Sequence, residues 1–227
     1  VAGLIGARLF FIVENWDAFL QAPLDFILTG AGFTWYGGLV GGALIVTLVV
    51  RSHSIPWLRA ADISAPALAL AYGIGRIGCQ VAGDGDWGIP NDLPQPVWLS
   101  FLPEWAWAYD YPNNVLGVNL REDFIRAGFE SITGKAYPTP LYEAIMGIGL
   151  FGALWAIRKK ITYPGMLFSI YLVMNGIERF FIEQIRVNVM YDIFGYKITQ
   201  AEIISSILIV AGAIGIWYFK SRVTKQQ

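Results

Sequence analysis

The sequence predicts an all-α polytopic membrane protein, with about five complete transmembrane helices, a partial helix at the N-terminus and a folded extracytoplasmic loop region. Three observations carry that class. Of the 227 residues, 56% are hydrophobic and only 15% are charged, against about a quarter charged in a soluble domain; the mean hydropathy is +0.51. Apolar runs close to the length of a bilayer crossing recur along the chain. Basic residues gather in turns that all fall on one side of those runs. The chain, 1–227, is expected to form a single membrane domain, and a formal net charge of −1 argues against nucleic acid as a partner.

The elements follow in order. Val1–Val13 is apolar but short of the roughly 20 residues a crossing needs. It lacks the basic start and small-residue cleavage site of a signal peptide, and it reads as the end of a helix that begins upstream of Val1. Leu20–Phe33 mixes Pro23, Asp25 and Gly30 with apolar residues and is expected to lie along the interface. Phe33–Val50, Ala60–Val81, Pro140–Ile157, Gly165–Ile182 and Ala201–Phe219 are the predicted crossings. Arg51 and Arg59 lie between the first two, Arg158–Lys160 follow the third, and Lys220, Arg222 and Lys225 follow the last. If each run crosses once, these clusters share a side, and the positive-inside rule places them and the C-terminus in the cytoplasm.

The loop 82–139 then faces outward. It is acidic and holds Trp98, Trp105, Trp107, Tyr109 and Tyr111. Such rings favour the headgroup level, so a folded cap against the outer surface is expected, with short strands in it. Cys79 has no second cysteine to pair with and reads as a small packing residue. His53, the one histidine, falls in a basic turn as a solvated residue.

The chemistry-bearing candidates are the charges inside apolar runs. In GIGRIGCQVAGDGDWG (73–88), the glycines formally match GxGxxG, but a dinucleotide loop needs a preceding strand. Gly73, Gly75 and Gly78 are expected to pack helices instead, as are the glycines of YGGLVGG. Arg76 is costly in a membrane segment unless it meets a partner. NGIERFFIEQIR adds Arg179, Glu183 and Arg186 at i, i+4 and i+7, with Arg179 expected at the depth of Arg76. Two arginines at one depth need an anion between them. A phosphate suits the planar donor fork of guanidinium, and lipid headgroups supply phosphates at that depth. Tyr36, Tyr142, Asp84, Asp86 and Glu183 are the groups left for proton handling.

With these residues in view, the chain resembles the prolipoprotein diacylglyceryl transferase family. LIGARLFF, TWYGGLVGG, GRIGCQVAGDGDWG, TPLYEA, GMLFSIYLVMNGIERFFIEQIR and TQAEIISS match family segments in order. The departures are Tyr36 where the family usually has a histidine, Cys79 and Ala82 where asparagines are usual, and Asn175 in place of a tyrosine. The acidic residue of the signature is Asp84 or Asp86. The resemblance implies transfer of diacylglyceryl from phosphatidylglycerol to the lipobox cysteine of a preprolipoprotein signal peptide, in the bacterial cytoplasmic (inner) membrane, with no metal or organic cofactor. The candidate catalytic set is Arg76, Arg179, Glu183, Tyr36, Asp84 and Asp86. The candidate substrate-binding set is Arg76, Arg179, Arg186, Gly75, Gly78, Tyr142 and Asn175. The alternative reading is a membrane transporter or lipid-binding protein that uses Arg76 and Arg179 as an anion site. A catalytically silent scaffold is a third, supported by the departures alone.

Overall fold

The computed structural model of the chain describes residues 1–28, 32–187, 190–193 and 196–224. It divides into two compact units, Val1–Ala60 and Ala61–Gln227. In the first, α1 (Ala2–Glu14) packs along α4 (Trp35–Ser52), with the short helices α2 (Trp16–Gln21) and α3 (Pro23–Leu28) between them in sequence. The α1–α4 contact is backbone on backbone. A Cβ placed on Gly6 would stand 2.4 Å from the Gly37 carbonyl oxygen, so the YGGLVGG glycines do form a packing face, although Gly42 meets nothing. Arg8 secures the turn below by donating to the carbonyls of Gly32, at 2.9 Å, and of Phe26. The predicted interfacial stretch Leu20–Phe33 contains α3; Gly30 lies outside the described residues. His53 is exposed at the end of α4, as expected.

The second unit is built on α5 (Trp57–Ala82), α7 (Thr139–Ile157), α8 (Met166–Glu183) and α9 (Gln200–Thr224), with α6 (Leu120–Arg126) inside the long loop. The five predicted crossings fall on α4, α5, α7, α8 and α9 with ends shifted by a few residues. Among them, α7 and Gln200–Ser221 of α9 are long and apolar enough to cross a membrane by length and composition. Small residues set the helix contacts. A Cβ on Gly212 of α9 would come within 2.6 Å of the Ser169 carbonyl on α8, and one on Gly147 of α7 would come within 3.0 Å of Gly73 on α5. Asp62 of α5 caps α8 from outside it, accepting from the amides of Gly165 (2.7 Å) and Phe168 (2.8 Å). That satisfies donors which the start of α8 leaves orphaned.

Residues 83–138 fold as a cap. Trp87, Tyr111, Leu120, Phe124 and Ala136 form its core, and Tyr109, Val118 and Phe129 pack on it. Asn91, almost fully buried, donates to the Trp107 carbonyl at 2.8 Å and accepts from the Leu93 amide. The Tyr111 hydroxyl donates to Gln80 at 2.8 Å and ties the cap to α5. The strands expected here reduce to isolated bridges, Pro90–Ala136 and Tyr109–Ala136. Six prolines between Pro90 and Pro138 remove the amide donors that a ladder requires. The regular strands, β1 (Met190–Ile193) and β2 (Tyr196–Thr199), lie between α8 and α9 as an antiparallel pair.

Candidate active site: an arginine–carboxylate cluster

The loop after α5 delivers an aspartate onto an arginine. Gly83, with φ +60°, ends α5, because only glycine enters that region without strain. The chain then doubles back through GDGDW. Thr139, fully buried at the start of α7, donates its hydroxyl to the Asp86 carbonyl at 2.7 Å. Gly88 forms an antiparallel bridge with Arg186, and the Ile89 amide donates to the Ile185 carbonyl at 2.9 Å. A Cβ on Gly88 would stand 2.5 Å from that same carbonyl, so glycine is what allows the approach. The Asp86 segment is thereby laced between the entrance of α7 and the exit of α8. Its carboxylate pairs with both Arg76 and Arg186.

The centre of the cluster is Glu143, on the first turns of α7 and fully buried. Arg76 Nε lies 3.3 Å from its Oε2. Arg179 Nη1 and Arg186 Nη1 reach Oε1 at 3.1 and 3.4 Å, and the Tyr72 hydroxyl donates to the same oxygen at 2.9 Å. Arg179 Nη2 also meets Glu183 Oε2 at 2.9 Å, one helical turn on. Three guanidinium groups thus face three carboxylates, Asp86, Glu143 and Glu183, and their formal charges cancel. The carboxylates on the α7 and α8 side are sealed, whereas the Asp86 side chain is about one-third exposed (32%). Burial by itself would raise the Asp86 carboxyl; the guanidinium groups of Arg186 and Arg76 outweigh it and hold the carboxyl below its ordinary value. Arg76 and Arg179 keep 17% and 24% of their side chains accessible.

The structure sorts the predicted residues. Arg76, Arg179, Arg186, Glu183 and Asp86 are brought together. Of the two aspartates competing for one role, Asp86 reaches the arginines, while exposed Asp84 lies beside Cys79. Cys79, expected as a packing residue, is half-buried, with its sulfur 3.9 Å from Arg76 Nη1 and close to Asp84. Cys79, Asp84 and Asp86 offer ligand atoms within 4.8 Å of one another. However, Asp86 is already neutralised by two arginines, a poor donor set for a cation. Gly73 packs against α7 as expected, but Gly75 and Gly78 face open space, because their positions point away from the α5–α7 contact. The Tyr142 hydroxyl turns to the cap, donating to the Ala106 carbonyl at 3.0 Å. Among the described residues no hydrogen bond joins Asn175 to the cluster, and Tyr36 belongs to the first unit.

Sequence reasoning missed Glu143, Tyr72 and Glu178. The signal for Glu143 was present: TPLYEA begins an otherwise uncharged apolar helix, and a lone carboxylate there demands a cationic partner. The anionic group that stands between Arg76 and Arg179 is this side chain.

Fold and site together define a class: a helical membrane protein whose apolar helices hold an arginine–carboxylate centre. A family model described as prolipoprotein diacylglyceryl transferase matches residues 1–218. The chain belongs to the prolipoprotein diacylglyceryl transferase family. It is similar to the phosphatidylglycerol–prolipoprotein diacylglyceryl transferase of Symbiobacterium thermophilum, 30% identical over 224 residues, covering 97% of this chain and 74% of the relative. It is likewise similar to those of Clostridioides difficile (30% over 221 residues, 97% and 75%) and Parasynechococcus marenigrum (29% over 231 residues, 96% and 75%).

Proposed function

We propose that this chain moves diacylglyceryl from phosphatidylglycerol to the lipobox cysteine thiol of preprolipoproteins. Family membership and the relatives' names support the reaction. The observation that carries it to particular residues is the convergence of Arg76, Arg179 and Arg186 on one buried carboxylate. The thiolate is the nucleophile. Its sulfur attacks the glyceryl carbon, the carbon–oxygen bond to phosphate breaks, and glycerol phosphate leaves with the electron pair. One proton is released from the thiol, and the reaction balances without a metal or organic cofactor. Arg76 and Arg179 grip the phosphate and stabilise the charge growing on the leaving group, Glu183 orients Arg179, and Arg186 holds Asp86 in place. Tyr36, Asp84 and Asp86 are the candidates for receiving the thiol proton, with Gly75, Gly78, Tyr142 and Asn175 on the substrate-binding side.

The same reading places α4, α5, α7, α8 and α9 across the bacterial cytoplasmic membrane, with the C-terminus in the cytoplasm and the cap outside. The cap supports this. Val97, Trp98 and Phe101 are 88%, 74% and 78% exposed on a loop whose base is bonded to the first turn of α7 through Tyr142. An apolar loop tip at the end of a spanning helix suits the headgroup level.

The test is direct. The purified protein is incubated with phosphatidylglycerol and a lipobox peptide, and the diacylglyceryl mass is sought on the peptide cysteine. Arg76→Gln and Arg179→Gln should each lower adduct formation by about a hundredfold or more. A folded wild type that makes no adduct overturns the function, and arginine variants with unchanged turnover overturn the phosphate clamp.

A further inference from the structure

A fourth carboxylate borders the cluster, and among the described residues no guanidinium pairs with it. Glu178, on α8, is buried, with 8% of its surface exposed. Among the described residues its hydrogen-bonding neighbour is the Tyr72 hydroxyl, 3.3 Å from Oε1. Its Oε2 is buried with no partner, and among the described residues no salt bridge reaches either oxygen. Glu143 and Glu183 also have an oxygen without a hydrogen bond, but in each an arginine nitrogen stands within 3.3 Å of it.

Tyr72 has a single hydroxyl proton and stands between two carboxyl groups. The shorter contact, 2.9 Å, goes to Glu143. With the proton committed there, the Tyr72 oxygen turns a lone pair towards Glu178 Oε1. An ionised Glu178 would then be a buried charge facing a lone pair, with no donor on either oxygen, which is strongly unfavourable. A carboxylic acid at the same place donates to Tyr72, and Tyr72 donates to Glu143. Both contacts become hydrogen bonds, and only a neutral carbonyl oxygen is left without a partner. The formal charge leads to the same assignment. Asp86, Glu143 and Glu183 already match the three arginines, so a fourth anion would leave the centre net negative and oppose a phosphate.

We infer that Glu178 holds a proton in the resting protein and acts as a positioning residue, keeping the Tyr72 hydroxyl turned onto Glu143 and hence the three arginines in place. The groups around it are consistent with that role. From α5 come Tyr72 and Arg76, the latter committed to Glu143 and Asp86; from α7 comes Glu143. On α8 itself Tyr171 lies near, and Arg179 is committed to Glu143 and Glu183.

The effect on turnover rests on the transferase reading; the proton itself does not. Infrared difference spectra of wild type and Glu178→Gln, in detergent, read the proton directly. A protonated carboxylic acid C=O band should be present in wild type and absent in the variant. In the transfer assay, Glu178→Gln, which keeps a neutral donor, should stay within about threefold of wild type near neutral pH, while Glu178→Leu should lose about tenfold through the unpartnered Tyr72. Tyr72→Phe should match Glu178→Leu. Absence of the infrared band in a folded wild type overturns the assignment, and a Glu178→Gln variant that loses as much as Glu178→Leu overturns the positioning role. A present band with no adduct from wild type leaves the assignment standing and removes the transferase reading.

Discussion

Glu143 is the residue on which the site depends. Fully buried, it pairs with all three arginines and accepts hydrogen bonds from Arg179, Arg186 and Tyr72. Glu143→Gln should therefore act on more than chemistry. With the central charge gone, three guanidinium groups face each other with only Asp86 and Glu183 between them, and removing one partner of a buried ion pair costs about 3–5 kcal/mol. Unfolding by mixed-micelle denaturant should show that loss, together with a collapse of turnover; a fully stable Gln variant would mean that the cluster is not organised by this charge. Asp86 makes a different prediction, in pH. Burial raises its carboxyl, the guanidinium groups of Arg186 and Arg76 lower it more, and the net value lies below the ordinary 3.8. On acidification the unfolded chain therefore takes up that proton first. The stabilisation by Asp86 is complete well above pH 3.8 and is lost as pH falls through the lowered value. In acid-unfolding curves Asp86→Asn should be less stable than wild type near neutrality, with the gap closing below pH 3.8.

Among the helices, close approach decides which glycines matter. Gly212 of α9 faces the Ser169 carbonyl of α8 with no room for a Cβ, whereas Gly75 of α5 faces open space. Gly212→Ala should destabilise by about 1–3 kcal/mol through forced separation of α8 and α9. Gly75→Ala should stabilise by up to about 1 kcal/mol through helix propensity. Thermal unfolding in detergent compares the two, and equal effects would contradict the packing described. The N-terminus of α8 offers a third comparison. Asp62→Ala removes both acceptors that cap it, for a loss of about 1 kcal/mol, and the same scan detects it. Since α8 carries Arg179 and Glu183 at its other end, tightening or loosening of that cap is expected to shift the cluster as well.

At the scale of the whole molecule, the membrane arrangement makes its own prediction. Trp98 emission should be quenched by lipids brominated near the headgroup, and single cysteines at Val97 and Lys159, introduced beside Cys79→Ser, should label from opposite sides of sealed vesicles. Labelling from one side would overturn the proposed five-crossing topology. Helical, apolar character was legible in the sequence because it rests on composition and run length, which are local: the five apolar runs predicted the positions of α4, α5, α7, α8 and α9. The arginines were legible too, because a cation in an apolar run stands out whatever surrounds it. Local pattern could not say which of Asp84 and Asp86 turns inward, since that depends on Thr139 and Ile185, distant in sequence, gripping the returning loop. Nor could spacing show that Gly75 and Gly78 face outward while Gly73 packs on α7. By itself the sequence determined an apolar helical protein of this family with arginines in need of an anion. Only the tertiary structure decided that Glu143 stands in that place and that Glu178 and Tyr72 line up behind it, because a carboxylate takes its partners from the helices that meet around it and not from its neighbours in the chain.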